Sequence, residues 1–148
     1  MHLDDETFLK VVEATPLVSI DLLIRRDGGE VLLGRRVNRP AQGFWFVPGG
    51  RIRKNERVSE ALKRISLGEL GVAIERAELI GVFDHIYEDN FAGKPGINTH
   101  YVVIAFEHRF PAGAVLRPDA QHSELNWWKI DALLSSPEVH ANTKAYFR

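Results

Sequence analysis

The stretch Gly50–Val72, GRIRKNERVSEALKRISLGELGV, decides the fold of this 148-residue chain. Its second half carries apolar residues at the three- and four-residue spacing of one helix face, namely Val58, Ala61, Leu62 and Ile65. This spacing predicts a helix from Arg57 to Leu70. Gly71 is the expected end of that helix, because glycine readily adopts the left-handed conformation that closes many helices.

Glu69 lies four residues beyond Ile65 and extends the apolar stripe of this helix by one turn. A buried carboxylate is costly unless a cation or several hydrogen bonds compensate it. One interpretation is a glutamate that reaches solvent or pairs with a nearby Arg or Lys. The other is a metal ligand, because Mg²⁺ prefers oxygen ligands and the preceding Gly49-Gly50 pair lets a backbone carbonyl approach a ligand closely.

The rest of the chain is predicted to contain more strands than helices. Apolar residues at helical spacing near the start predict a first helix: Phe8, Val11 and Val12. Alternating apolar residues then predict a strand, with Asp21 on its opposite face: Val18, Ile20, Leu22 and Ile24.

A turn signal at residues 27–29 leads into a second strand, expected from Glu30 to about Val37. The segment FWFVP predicts a short strand that ends at Pro48. Further strands are expected at 77–87, 99–110 and 124–130, and one or two short helices after residue 130. Mixed strands and helices without regular alternation favour an α+β layered domain.

Composition narrows the class of protein. The chain has no cysteine, which excludes disulfides, thiolate nucleophiles and cysteine zinc sites. No apolar run is long enough to span a membrane, and the acidic N-terminus does not resemble a secretory signal, so we expect a cytoplasmic protein. The net charge of −1 predicts no nucleic-acid partner. Eleven Lys and Arg residues nevertheless fall between Arg25 and Arg64. They form either a solvated basic face or a site for a small anion such as a diphosphate.

The opening stretch resembles the Nudix box, which reads Gly, five residues, Glu, seven residues, Arg-Glu-apolar-x-Glu-Glu-x-Gly-apolar. The matching residues are Gly50, Glu56, Arg64, Glu69, Gly71 and Val72. Three residues depart from the pattern: Ile65 and Gly68 replace glutamates, and Ser66 replaces an apolar residue. Two of the expected metal-binding carboxylates are therefore missing.

Segments outside the box resemble one branch of the Nudix superfamily, the GDP-mannose mannosyl hydrolases, which share these departures. The similarity extends from about Thr15 to Phe147 and is carried by ATPLVSIDLLI, GRRVNRPAQGFWFVPGGR, NTHYVVIAF, LRPDAQH and VHANTKAYF. It implies one Nudix domain over residues 1–148, with the modified box at 50–72. The implied fold is α+β, a mixed β-sheet layered between helices with a loop–helix–loop box.

The resemblance also implies a reaction at carbon rather than at phosphorus. In that branch, water displaces GDP from C1 of the sugar of GDP-mannose or GDP-glucose, with inversion. Such a substitution passes through an oxocarbenium-like transition state and needs a base for the water and a stabilised leaving group. GDP leaves easily, so one Mg²⁺ per subunit, or Mn²⁺ in its place, together with arginines, is expected to suffice.

The family's functional residues map onto matching positions of this chain. Those resembling the Mg²⁺ ligands are the Gly49 carbonyl, Glu69 and Gln121. Those resembling the diphosphate-binding groups are Arg36, Arg51 and Tyr101. His122 resembles the general base of the family, a role that the ordinary pKa of histidine suits near neutral pH. Asp21 and His85 are expected to contact the sugar or adjust the site.

Other interpretations remain open at this point. A loop histidine such as His122 is often simply solvated, and Glu56 and Arg64 are expected to form a structural ion pair. His2, His100, His108 and His140 are assigned as structural or surface residues. The reaction alternatives are a Nudix pyrophosphohydrolase that attacks phosphorus and a non-catalytic nucleotide-sugar sensor. The resemblance further implies a homodimer, with exchange of N-terminal segments as one possible arrangement.

Overall fold

A computed structural model describes residues 2–117 and 124–148 of the chain. It begins with helix α1, Asp5–Ala14, whose N-cap residue Asp4 accepts a hydrogen bond from the Thr7 backbone N–H at 2.7 Å. Within this described part, no helix is long and apolar enough to cross a membrane.

A mixed β-sheet forms the centre of the molecule. Its strands are β1 Leu17–Arg26, β2 Glu30–Arg35, β3 Trp45–Phe46, β4 Gly49–Arg51, β5 Glu78–Tyr87, β6 Thr99–Phe110 and β7 Leu125–Lys129. The main order is β3-β2-β1-β6-β5, with β4 also paired to β1 and β7 to β2. Strands β1 and β6 run parallel, whereas the other pairs are antiparallel.

Helices cover both faces of this sheet. Helix α2, Val58–Leu70, packs most of its predicted stripe on alternate residues of β1, in a buried cluster that includes Ile20, Leu22, Ile24, Ala61, Leu62 and Ile65. Val58, the first residue of the helix, was also predicted in this stripe but is 41% exposed. The other face packs against α3, Ile130–Ser135, and the C-terminal pair of α4, Ala141–Lys144, and a 3₁₀ turn, Ala145–Phe147. This second cluster includes Val31, Leu33, Trp45, Val47, Leu133 and Val139. The predicted α+β architecture, a mixed sheet layered between helices, is confirmed.

Several predicted boundaries were wrong in detail. Strand β2 ends at Arg35 rather than Val37, and the strand predicted from FWFVP is reduced to two residues. Val18 is 41% exposed although it alternates with buried residues, because it lies outside the cluster that packs on α2. The Gly49-Gly50 pair belongs to strand β4 and does not use the left-handed backbone that only glycine readily adopts.

Gly49 is required by close packing instead. A Cβ atom at this position would overlap the Ile20 carbonyl oxygen and lie 2.9 Å from Oδ1 of Asp21. Any larger residue would therefore push β4 away from β1.

The loop before α2 is fastened to the helix by an ion pair. Nε and an Nη atom of Arg64 donate hydrogen bonds to the two Glu56 carboxylate oxygens, at 2.7 and 2.9 Å. The same guanidinium donates to the Arg51 carbonyl at 2.9 Å, so it also ties α2 to β4. These bonds lower the pKa of Glu56 to about 2.

We predict that Glu56→Gln destabilises the fold by about 1–3 kcal/mol at pH 7. The pKa of Glu56 is lowered in the folded state, so its stabilisation is present above the unfolded pKa and is lost as pH falls towards about 2. Urea unfolding at pH 7 and at steps down to pH 3 should show the difference from wild type shrinking with acid. Glu75→Gln, which removes an exposed partner of Lys63, should cost much less; equal costs for both variants would contradict the assignment.

Candidate active site

A cavity of about 230 Å³ brings together six of the predicted site residues. They are Asp21 from β1, Arg36 from the segment after β2, Gly49 and Arg51 from β4, His85 from β5 and Tyr101 from β6. Asp21 alternates with Ile20 and Leu22, which pack towards α2, so the cavity opens on the opposite face of the sheet.

Strand pairing explains why residues so distant in sequence meet here. Asp21 stands opposite Gly49 in the β1–β4 pair and level with Ala105 in the β1–β6 pair. On the next pair of strands, His85 stands opposite Tyr101. Strands β4, β1, β6 and β5 therefore present their site residues side by side.

The Asp21 carboxyl group lies at the centre of this arrangement. Its Oδ2 accepts a hydrogen bond from the Tyr146 hydroxyl at 2.7 Å, and Nδ1 of His85 lies 3.9 Å away. Burial raises the pKa of Asp21 to about 7, against the opposing effects of the Tyr146 hydrogen bond and the Arg36 charge. Burial also lowers the pKa of His85, which favours the neutral imidazole.

Two arginines supply positive charge to the cavity. Nε of Arg36 donates to the Pro40 carbonyl at 2.8 Å, and its guanidinium lies 5.8 Å from the centre of the Phe46 ring. The guanidinium of Arg51 lies 4.7 Å from the centre of the Phe8 ring. Both guanidinium groups thus lie over aromatic rings, at cation–π distance, and can offer N–H donors to an anion.

A larger cleft of about 910 Å³ shares Arg36, Arg51 and Tyr101 with the small cavity. Its apolar side is formed by Phe8, Val12, Leu17 and Phe91, among others. The rings of Phe8 and Phe91 lie 4.9 Å apart. The two cavities therefore meet at the shared arginines. The larger cleft adds aromatic surface, which suits a planar nucleobase.

Glu69 faces a third cavity, of about 300 Å³, which also contains Gly49 and Arg36. Within residues 2–117 and 124–148, no three His, Cys, Asp or Glu side chains are grouped closely enough to hold a metal ion. A backbone carbonyl at Gly49 and the Glu69 carboxylate are nevertheless hard oxygen donors on one cavity, a set that suits Mg²⁺ when substrate phosphates complete it. Gly49 packs closely against β1 and has no side chain, so no side chain of residue 49 covers its backbone carbonyl.

Two predicted residues cannot be placed in this way. Gln121, expected as a metal ligand, and His122, expected as the general base, lie outside the described residues. The description of the candidate site therefore concerns the other seven.

Three aromatic residues of the site were missed by the sequence interpretation. Tyr87 lines the small cavity, and Tyr146 reaches it from the C-terminal turn to bond Asp21. His140, assigned from sequence as a structural or surface residue, stacks on Phe46 with ring centres 4.7 Å apart, and burial lowers its pKa. For His140 and Tyr146 the only signal was the similarity of VHANTKAYF to the family, which assigns no individual role, and Tyr87 lies outside that segment.

Comparison with known proteins identifies the family of this site. A model of the NUDIX domain matches residues 15–148. The chain belongs to the Nudix family. Low-salt glycan biosynthesis protein Agl8 of Haloferax volcanii is 44% identical over 125 residues, which cover 84% of this chain and 78% of Agl8.

Solved structures agree with this Nudix assignment. A MutT Nudix hydrolase from Burkholderia pseudomallei has a TM-score of 0.69 at 29% identity, covering 90% of this chain and 96% of that protein. The Nudix domain of Shewanella oneidensis NrtR, solved with ADP ribose, has a TM-score of 0.70 at 19% identity, covering 98% and 95%. The latter likeness shows the fold alone. Nudix hydrolases generally use a divalent metal such as Mg²⁺.

The departures from the Nudix box have structural roles in this chain. Ile65 is 4% exposed and lies in the core cluster under α2, within contact distance of a Cβ built on Gly50. Ser66 is fully buried, accepts a hydrogen bond from the Ile74 backbone N–H at 2.7 Å and donates to the Lys63 carbonyl. These positions fix the helix and the chain that follows it.

We predict a large loss of stability for one of the two substitutions that restore box glutamates and a small loss for the other. Ile65→Glu should cost at least about 3 kcal/mol of unfolding free energy, because it places a carboxylate in an apolar core. Gly68→Glu should cost less than about 1 kcal/mol, since this helical position is partly exposed and glycine is a poor helix former. Thermal and urea unfolding measure both, and an Ile65→Glu variant as stable as wild type would show that the position is not committed to packing.

Proposed function

We propose that this Nudix protein hydrolyses GDP-mannose, with GDP-glucose as a second substrate, to GDP and the free sugar in the cytoplasm. The observation that carries the proposal is the conversion of a box carboxylate position into core, at Ile65, beside an intact basic site. Attack at phosphorus depends on a high metal charge around the reacting group. A site with fewer carboxylates suits substitution at carbon. The glycan-biosynthesis name of Agl8 is consistent with a nucleotide-sugar substrate.

The two connected cavities support a binding mode in which different parts of the substrate occupy different cavities. The diphosphate is assigned to Arg36, Arg51 and Tyr101, which border both spaces. The nucleoside is assigned to the larger, aromatic cleft, and the sugar to the small cavity with Asp21 and His85. Asp21 accepts hydrogen bonds from sugar hydroxyls in this assignment.

The proposed reaction is a single displacement at C1 of the sugar. The oxygen of water bonds to C1 while the bond from C1 to the diphosphate oxygen breaks, and GDP leaves with that electron pair. The proton of the water passes to the His122 imidazole, and the configuration at C1 inverts. Gly49, Glu69 and Gln121 would hold Mg²⁺, whose charge stabilises the departing diphosphate.

Hydrolysis in ¹⁸O-labelled water tests which bond breaks. We expect label in the free sugar and none in GDP, because water attacks carbon. The products are analysed by mass spectrometry and by ³¹P NMR, over a panel of nucleotide sugars. Label in phosphate, with release of GMP and sugar 1-phosphate, would identify a pyrophosphohydrolase instead. Binding without turnover of any substrate in the panel would favour a sensor.

Removal of a site arginine tests the assignment of the diphosphate. Arg36→Gln should lower kcat/KM about 100-fold, because it removes a charged donor from a phosphate group. Arg57→Gln is the matched control, since Arg57 is exposed and only loosely paired with Glu60 at 3.9 Å, and it should change kcat/KM less than about twofold. Steady-state kinetics at saturating Mg²⁺ compare the two variants. Similar values for both would contradict the assignment.

For the expected homodimer we propose pairing through β5, the open edge of the sheet. This strand exposes large apolar side chains at Leu79, Val82 and Ile86, each about 60% exposed. Edge strands of this kind pair with another chain unless they are protected. Antiparallel pairing of two copies, centred on Val82, would place each Val82 opposite its own copy and Asp84 opposite Ile80, and would avoid facing carboxylates.

Light scattering coupled to size exclusion tests this interface. We expect a wild-type dimer and a monomeric Val82→Lys variant, because the lysine charge would oppose its own copy across the twofold axis. Val115→Lys, at a position 75% exposed outside β5, should remain dimeric. A monomeric wild type, or a dimeric Val82→Lys, would rule out pairing through this edge.

A further inference from the structure

The C-terminal turn reaches into the candidate site at one atom. The hydroxyl of Tyr146 donates a 2.7 Å hydrogen bond to Oδ2 of Asp21. The other carboxylate oxygen of Asp21 lies against Gly49, where an added Cβ would be 2.9 Å away. Nδ1 of His85, at 3.9 Å from Oδ2, is beyond hydrogen-bond distance. The carboxyl is thus held between the Tyr146 hydroxyl on one side and the β4 backbone on the other.

The position of Tyr146 does not depend on this hydrogen bond. Its ring packs edge-on against Phe83, with centres 5.2 Å apart and planes at 86°. It also lies 5.9 Å from the His85 ring. These contacts belong to the ring and would be kept by phenylalanine.

The segment that carries Tyr146 is anchored to the sheet by several bonds. Val139 forms a parallel bridge with Trp45, and the Trp45 backbone bonds to Glu138 and His140. The buried Thr143 hydroxyl accepts a hydrogen bond from the Val47 backbone N–H. After Tyr146, the Phe147 ring packs on the second core cluster and receives the Arg25 guanidinium at 5.3 Å from its centre. The hydroxyl is therefore presented from a fixed framework.

We propose that Tyr146 is a positioning residue for the reaction, whose hydroxyl fixes the Asp21 carboxyl in the sugar cavity opposite Arg36. One oxygen of a carboxylate has lone pairs for more than one donor. Tyr146 occupies one direction on Oδ2 and leaves the carboxyl oriented to accept from a substrate hydroxyl. Precise orientation of a reacting or binding group contributes strongly to rate. This inference rests on the proposed function, because Asp21 contacts the sugar only in that assignment.

A double-mutant cycle between Tyr146→Phe and Asp21→Ala tests the proposal, because alanine removes the oxygen that accepts from Tyr146, whereas asparagine would keep an acceptor. Tyr146→Phe should lower kcat for GDP-mannose about tenfold, the equivalent of one hydrogen bond, and should change KM less than about twofold, since GDP provides most of the binding groups. In the Asp21→Ala background the same substitution should change kcat less than about twofold. Independent, multiplicative effects of the two substitutions would overturn the proposal.

Phe147→Leu is the control for a merely structural role. It loosens the same turn without removing the Tyr146 hydroxyl, so it should lower Tm but leave kcat per folded molecule near that of wild type. A loss of kcat equal to that of Tyr146→Phe, at a similar loss of Tm, would assign the effect to packing and refute the positioning role.

Thermal unfolding separates this proposal from the proposed function. Tyr146→Phe should lower Tm by about 2–4 °C when Asp21 is present and should have little effect in Asp21→Ala. Absence of this coupling overturns the positioning role whatever the activity. A wild type that hydrolyses no nucleotide sugar, with the coupling in Tm intact, overturns the proposed function and leaves the Tyr146–Asp21 contact established.

Discussion

The close contact of Gly49 with strand β1 sets the geometry of the whole site. Because this position has no side chain, β4 can lie directly against the Ile20 carbonyl and the Asp21 carboxyl. Strand β4 then carries Arg51 into the cavity, and the Arg51 carbonyl receives Arg64 of the following helix. The close approach of β4 to β1 therefore fixes the Asp21 carboxylate, the Arg51 guanidinium and the helix that carries Glu69 relative to one another.

The loop and helix of the Nudix box divide their residues between support and chemistry. Glu56 and Arg64 fasten the loop, and Ile65 and Ser66 pack the helix and the chain after it. Glu69 is the remaining box carboxylate on a cavity wall. At Ile65, a position that carries glutamate in the general family pattern, the side chain thus packs into the core instead. Metal binding and core packing therefore compete for the same face of helix α2.

The sequence predicted most of the elements because their signals are local. The 3.6-residue period gave α2, and alternation in β1 placed Asp21 opposite the helix-facing residues, as the structure confirms. The strand predicted from FWFVP was too long, and the strand at Gly49–Arg51 was not predicted, because their pairing depends on partners distant in sequence. Family resemblance named Arg36, Arg51 and Tyr101, which do line one cavity. Tyr146 was missed because no local pattern links residue 146 to residue 21.

The parallel pairing of β1 with β6 also has a consequence for folding. Leu17 pairs with Tyr101 and Arg26 with Phe110, so the central ladder closes a loop that contains about half of the chain. Such long-range contacts form late in folding, because the entropy of closing the loop is lost before the paired strands gain their favourable contacts. Asp21 and Tyr101 are on the two strands of this ladder. A partly folded chain that has formed only its hairpins and α2 would therefore lack the candidate site altogether, and the site would form only with the cooperative folding of the whole domain.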